Sequence, residues 1–447
     1  MEPIGPWLDQ QYQRAGRAML RSISAVEIVK MRPGFGQTVR PHRGSIVASP
    51  VLAGYDPDPD YFFHWLRDSA VVLDALRLLF ENGSIGSEAL GHLQDFVHFS
   101  LSLQRLDGRK LASSPAWRAV VAPDFVQFLR TDADLTAARG AAIVAETRVN
   151  PDGSLDISSW PRPQHDGPAL RALSLLRWAR LVADASGVDR ELASLLRSDL
   201  DFLARHWREP SFDIWEEEKG RHYYTLCVTA AALADGAAWL AERDEQDAAR
   251  SCAAEAQAIY RELDEFWSPA AGFLRSRLDV ERAADAKPTS KELDIAVILA
   301  AIHANRSGAH SPQDPRMHAT LERLEALFDA AYPINRNRPP QRAPAMGRYA
   351  GDVYYSGGAY YFSTLGAAEF CFRAAAGGNQ DGPGWFRRGD AYLETVRAYT
   401  PQNGDMSEQF DQRTGEQTSA RHLAWSYACF ISCLTARRAV IGMATRS

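Results

Sequence analysis

Residues 212–225 read FDIWEEEKGRHYYT: three consecutive glutamates, Glu216, Glu217 and Glu218, between a tryptophan and two tyrosines. A carboxyl group beside an indole loses water, which favours the neutral form that a proton donor needs. The plainer alternative is a solvated helix start, where acids suit the positive end of the dipole. A further acid, Glu408, stands in NGDMSEQFDQRTGEQTSARHLAWSYA (403–428), with Trp425 in the following helix. Alone it reads as a surface charge. DYFFHWLRDSAVV (60–72) places Arg67 and Asp68 ahead of a helix, flanked by Tyr61 and Trp65; an Asp cap with a local ion pair is the alternative. SSWPRPQHDGPALRA (158–172) offers Trp160, Arg162 and Asp166, or else a rigid proline-rich turn. GRYAGDVYYSGGAYYFSTL (347–365) supplies Arg348, Asp352, Tyr354 and Tyr360 among glycines, without the GxxxxGK[ST] spacing of a phosphate loop. In such loops a guanidinium donates to a sugar hydroxyl, a carboxylate accepts from one, and a flat ring covers the C–H face. Two carboxylates facing across a glycosidic bond are the machinery for hydrolysing it. The residues together point to a glycoside hydrolase.

The elements that must position them are helical. Apolar residues recur with a period near 3.6 almost throughout, and alternating β-type runs are scarce. The spacing predicts helix pairs at 69–83 with 87–106, 167–187 with 190–207, 223–244 with 245–267, 291–304 with 317–332, and 359–376 with 384–400. A last helix near 418–443 pairs with a first near 7–25. Gly-bearing links such as ENGSIGSE and AGGNQDGPG supply stops. Links between pairs are long, near 26–68, 107–166, 208–222, 268–290, 333–358 and 401–417, and loops beyond about 12–15 residues are usually functional or disordered. These are rich in Trp, Tyr, Arg, Asp and Gly, not a disorder composition. Six hairpins with long loops at one end imply an all-α, closed double ring of about twelve helices, an (α/α)6 barrel, forming a single domain over 1–447. An irregular helical solenoid is the alternative, but no fixed repeat period is visible.

Bulk properties exclude other classes. The 447 residues are 46% hydrophobic and 24% charged, with a net charge of −6, and no basic block points to nucleic acid. Five cysteines without CxxC spacing argue against a disulfide scaffold or a zinc site, and HExxH is absent. Cys429 and Cys433 read as buried free thiols on one helix face. The expectation is no metal and no cofactor. The N-terminus has no basic and apolar leader pattern, and no run of 18 apolar residues indicates a membrane span. The chain as written reads as cytoplasmic and monomeric, or as secreted or periplasmic had a leader been removed.

The ordered set GSIVASPV…DPDYFFHWLRDSA, SWPRPQHDGPALRA, FDIWEEEKGRHYYTLCV, GRYAGDVYYSGG and MSEQFD…LAWSYA resembles the glucoamylase family, glycoside hydrolase family 15, over nearly the whole chain. The likeness is to the fungal-type catalytic domain, with no N-terminal β-sandwich and no starch-binding module. It implies an (α/α)6 barrel that needs no cofactor and removes glucose from non-reducing ends of α-gluco-oligosaccharides with inversion. By motif match it implies Glu216 as general acid and Glu408 as general base. Arg67, Asp68 and Arg348 would hold the terminal glucose, with Tyr61, Trp65, Trp215 and Trp425 as walls. Glu217, Trp160 and Tyr354 would meet the next sugar, and Glu218 would face solvent. An inverting pair stands about 6.5–9.5 Å apart to admit water. Where the family resembles GNPWFL this chain has GGAYYF, so Ala359 and Tyr360 would alter a wall on the leaving-group side. HWLRD replaces TWTRD, and LAWSYA replaces LTWSYA. The altered wall motivates an alternative on the same scaffold, an α-1,6-preferring glucohydrolase; a noncatalytic sugar-binding barrel is the alternative from another class.

Overall fold

The computed structural model describes residues 4–54, 58–182, 189–281, 291–377 and 381–444. The end of the helix expected to reach 187, the middle of the AGGNQDGPG link and part of loop 268–290 lie outside the described residues. Among the described residues twelve helices exceed two turns: α1 (Ile4–Leu20), α2 (Leu66–Glu81), α3 (Glu88–Leu103), α4 (Asp166–Leu181), α5 (Asp189–His206), α6 (Tyr223–Ala241), α7 (Gln246–Leu263), α8 (Ala296–Ala304), α9 (Pro315–Ala331), α10 (Tyr361–Ala376), α11 (Gly382–Tyr399) and α12 (Ala424–Ala444). The even-numbered helices form the inner ring, each packed on the next, and α12 closes onto α2. The odd-numbered helices form the outer layer. The chain folds as an (α/α)6 barrel.

The two rings differ in sequence because they differ in surroundings. Outer helix α5 buries Leu192, Leu195, Leu196, Leu200 and Leu203 on one stripe and turns its charged residues outward, as a one-sided helix does. Inner helices touch protein on all sides, so α8 (AVILAAIHA) is apolar round its whole circumference. Helix α6 is long and apolar enough to cross a bilayer, which the absence of an uninterrupted apolar run did not anticipate; 78% of that stretch is buried in the protein as inner-ring wall. Close approach needs small residues: a Cβ on Gly167 would come 2.8 Å from Leu66 Cβ, so glycine lets the starts of α4 and α2 abut.

All six inner helices begin at the end where the long links lie. Short strands that the helical period did not reveal tie these links together. His64–Trp65 pairs antiparallel with Arg148–Val149. Lys219–His222 lies between Ser211–Phe212 and Arg277–Glu281. Ser407–Phe410 lies between Ala359–Tyr360 and Gln417–Arg421. Consequently the helix expected from 418 starts at Ala424, and the one expected from 291 starts at Ala296, because the preceding residues serve in strands and turns. Cys429 and Cys433 are buried and unbridged, as expected.

Candidate active site

A cavity of about 250 Å³ opens at the starts of the inner helices. Its lining brings together the twelve residues to which the family resemblance assigns a catalytic or sugar-binding role, Tyr61, Trp65, Arg67, Asp68, Trp160, Trp215, Glu216, Glu217, Arg348, Tyr354, Glu408 and Trp425, but not Arg162, Asp166, Asp352, Tyr360 or Glu218. Pro161, Ile214, Phe362 and Leu423 complete it.

Glu216 sits in a tight turn before α6. Its N–H donates to the Asp213 carbonyl, and the Asp213 carboxylate accepts from the N–H groups of Glu217 and Glu218. Glu216 has φ of +64°, a left-handed conformation that costs a non-glycine residue of order 1–3 kcal/mol; the turn imposes it and aims the side chain into the cavity. There Oε1 accepts from Trp65 Nε1 at 2.9 Å and Arg67 Nη2 at 2.8 Å, and Oε2 accepts from Trp160 Nε1. Arg67 also faces Asp68 and Asp166, each at 3.5 Å. Burial pushes Asp68 and Asp166 up to about 6 despite that guanidinium. Asp68 Oδ2, Asp166 Oδ1, Arg67 Nε and Trp425 Nε1 are buried without a protein hydrogen-bond partner, although Arg67 Nε and Asp68 Oδ2 form the 3.5 Å ion pair. Donors and acceptors left unmatched inside a protein are expensive, and here they surround a cavity that a polyhydroxyl ligand would fill.

Glu408 reaches the cavity from the strand Ser407–Phe410. Its Oε2 accepts from Ser419 Oγ on the neighbouring strand, and Tyr61 OH donates to Oε1 at 3.4 Å, while Tyr61 and Tyr354 hydroxyls lie 2.8 Å apart. Burial pushes the Glu408 carboxyl up to about 7; the Ser419 hydroxyl and Arg348 offset this only in part. Ser419 also has positive φ, +63°, within its strand, where the register against Ser407–Gln409 is irregular. Chain position gave no sign of Ser419; a hydroxyl on the strand paired with SEQF was the available clue.

Glu217 is caged. Arg348 Nη2 donates to its Oε1 at 3.1 Å, Tyr349 OH lies 2.9 and 2.6 Å from its oxygens, and Lys291 Nζ donates to Oε2. Arg348 Nε donates to Asp352 at 2.7 Å. Trp215 is held edge-on by its indole N–H to Asp294 at 2.8 Å. Its face continues a stack through Phe362 (5.9 Å between centroids, 22°) to Trp425 (4.4 Å, 8°).

Three expectations change. Glu218 does not face solvent: it is ion-paired with Arg277, its side chain 14% exposed. The strand Arg277–Glu281 folds back beside it, a pairing the local sequence could not reveal. Tyr360 does not form a wall of the cavity. It is fully buried behind Arg348, its hydroxyl donating to Asp352 and accepting from Gln409, and Phe362 lines the cavity instead. The substitution that motivated the α-1,6 reading therefore lies behind the wall. Arg162 serves the scaffold, bonded to Glu146 and Asp156.

Buried carboxylates, unmatched donors and aromatic faces around one cavity of an (α/α)6 barrel define a carbohydrate hydrolase. A family model described as glycosyl hydrolases family 15 matches residues 145–386 and 387–435. A probable glucoamylase of Schizosaccharomyces pombe is 28% identical over 475 residues, spanning 98% of this chain and 92% of that one. Glucoamylase 1 of Rhizopus oryzae is 27% identical over 481 residues, 97% of this chain and 71% of that one. In fold, the glucoamylase of Hormoconis resinae matches with a TM-score of 0.76 at 24% identity, over 98% of this chain and 74% of that one. That of Saccharomycopsis fibuligera matches with 0.77 at 20% identity, over 98% and 96%. The chain belongs to glycosyl hydrolases family 15 and is a glycoside hydrolase.

Proposed function

We propose that this protein removes glucose from the non-reducing ends of α-gluco-oligosaccharides with inversion, Glu216 protonating the glycosidic oxygen and Glu408 activating water. The supporting observation is that Glu216 and Glu408, remote in sequence, line one cavity with Arg67, Asp68 and an aromatic stack. The relatives from Schizosaccharomyces pombe and Rhizopus oryzae are named glucoamylases, which supports exo-cleavage of α-glucan.

In the reaction the terminal ring lies on the Trp215–Phe362–Trp425 stack, and its hydroxyls meet Arg67, Asp68 and Trp425 Nε1. Glu216 delivers a proton to the glycosidic oxygen as the bond to the glucose carbon breaks, so that the second sugar leaves as an alcohol. Glu408, in its ionised form, takes a proton from a water on the opposite face of the ring, whose oxygen bonds to the glucose carbon. Protein groups already aimed at these positions need no rearrangement as charge develops.

Two measurements test the reading. NMR of early maltose hydrolysis is expected to show β-glucose first; an initial α-anomer removes the inverting mechanism. α-D-Glucosyl fluoride, whose leaving group needs little protonation, separates the two glutamates. Glu216→Gln should lose maltose hydrolysis but keep much of the fluoride reaction, and Glu408→Gln should lose both. The reverse pattern would exchange the two roles.

A further inference from the structure

Lys291 touches the site from outside. It does not line the substrate cavity, yet its Nζ donates to Glu217 Oε2 and lies 4.6 Å from the centre of the Tyr349 ring. We propose that Lys291 is the positioning residue for Glu217, and that through this ion pair it sets how firmly the enzyme holds the leaving sugar. The proposal rests on the functional reading above and on the role the family resemblance implies for Glu217, contact with that sugar.

Four observations carry it. First, Lys291 is 8% exposed, and a lysine so placed is costly to bury unless its charge is matched; Glu217 matches it. Second, the lysine is anchored at its backbone. Its carbonyl accepts from Ser276 Oγ, and Ser276 in turn bonds the Glu292 carbonyl at 2.8 Å and the N–H of Tyr223, the first residue of α6, at 2.8 Å. The ammonium therefore arrives from a fixed point rather than from a free side chain. Third, a carboxylate offers about four acceptor positions. Lys291, Arg348 and Tyr349 occupy three and leave one for a sugar hydroxyl, with its direction set by the other three. Fourth, the chain has five lysines among its 50 basic residues. An ammonium is the rare choice here, and a compact point charge suits a site where Arg348 already supplies the planar fork.

Arg348 cannot do this alone, because its guanidinium is shared with Asp352. Without Lys291, Glu217 keeps half of its cationic partners and stands next to Glu216 with its charge less compensated. The expected consequence falls on the substrate's second sugar and not on the glucose being released.

The experiment compares maltose with α-D-glucosyl fluoride, which has no second sugar, on the full-length enzyme. Lys291→Met is expected to raise KM for maltose about tenfold or more, the range of one charged hydrogen bond, with fluoride kinetics within about twofold of wild type. Lys291→Arg, which keeps the charge, should stay within about threefold on maltose. Lys291→Met combined with Glu217→Gln should be no worse than Glu217→Gln alone, since the two act as one unit. Lys291→Gln repeats the test should methionine not be accommodated, and the fluoride rate reports an intact site in every variant. Equal losses on both substrates, no loss on maltose, or additive losses with Glu217→Gln would each overturn the role. Wild-type enzyme that released glucose from neither substrate would overturn the functional reading and the proposal together.

Discussion

Two buried charge clusters lie side by side in this protein and behave in opposite ways. Beneath the 146–162 loop, Arg130, Arg148 and Arg162 surround Glu146 and Asp156. Burial pushes Asp156 up, but Arg148 and Arg162 more than offset it and hold the carboxyl below its ordinary value. In the cavity the balance is inverted. Arg67, Arg348 and Lys291 face Asp68, Asp166, Glu216, Glu217, Asp352 and Glu408, and burial holds Glu408 near 7 and Asp68 and Asp166 near 6. Asp294, which carries Trp215, is likewise pushed up to about 7 against hydrogen bonds from Ala296 N–H and the indole. The first cluster is a closed ion network that fixes a loop. The second has more carboxylates than cations and holds polar atoms without a protein hydrogen-bond partner, and perturbed groups of this kind cluster at functional sites.

The largest expected effect separates the clusters outright. Glu408→Gln should lower kcat on maltose by about 10²–10⁴-fold, with a melting temperature at pH 8 no lower than wild type. Asp156→Asn leaves two buried guanidiniums poorly matched and should cost on the order of 3 kcal/mol of stability, read by thermal unfolding at pH 7. If the activity and stability losses fall the other way round, the comparison fails.

A smaller effect has a definite sign. Asp294 has a folded-state pKa above its unfolded value of 3.8, so its penalty grows as pH rises from about 4 to about 7 and persists above. Asp294→Asn should therefore gain stability relative to wild type between pH 4 and pH 8. Asp156, held below 3.8, contributes above that pH and loses its contribution as pH falls through the folded-state pKa. The Asp156→Asn deficit should accordingly shrink in acid. Parallel rather than opposed pH trends in the two variants would erase the distinction. The smallest effect concerns Ser419, whose hydroxyl favours the ionised form of Glu408. Ser419→Ala should move the acid limb of the maltose kcat/KM profile to higher pH, by about one unit or less; a shift to lower pH would contradict the contact.

Much of this was legible in the chain. The helical period placed all twelve helices, with ends displaced by up to six residues, because outer helices carry one apolar stripe and inner ones bury most of their circumference. The loop residues that combine an aromatic ring with a charge proved to be the cavity. What escaped notice depends on pairing across long sequence separations. Lys291 and Tyr349 meet Glu217, Ser419 meets Glu408, and Arg277 neutralises Glu218. Tyr360 looked like a wall from its place in a motif, yet the pairing of Ala359–Tyr360 with Gln409–Phe410 turns it inward. A two-residue strand has no periodicity to detect, and the face it presents is set by a partner elsewhere.

By itself the sequence determined an alternating double layer of helices with its chemical residues gathered on one set of links, since helical periodicity and loop length are local properties. Only the tertiary structure decided which carboxylates are matched by cations and which are not. That depends on distance and burial among residues far apart in the chain, and electrostatic energy follows separation in space rather than position in sequence.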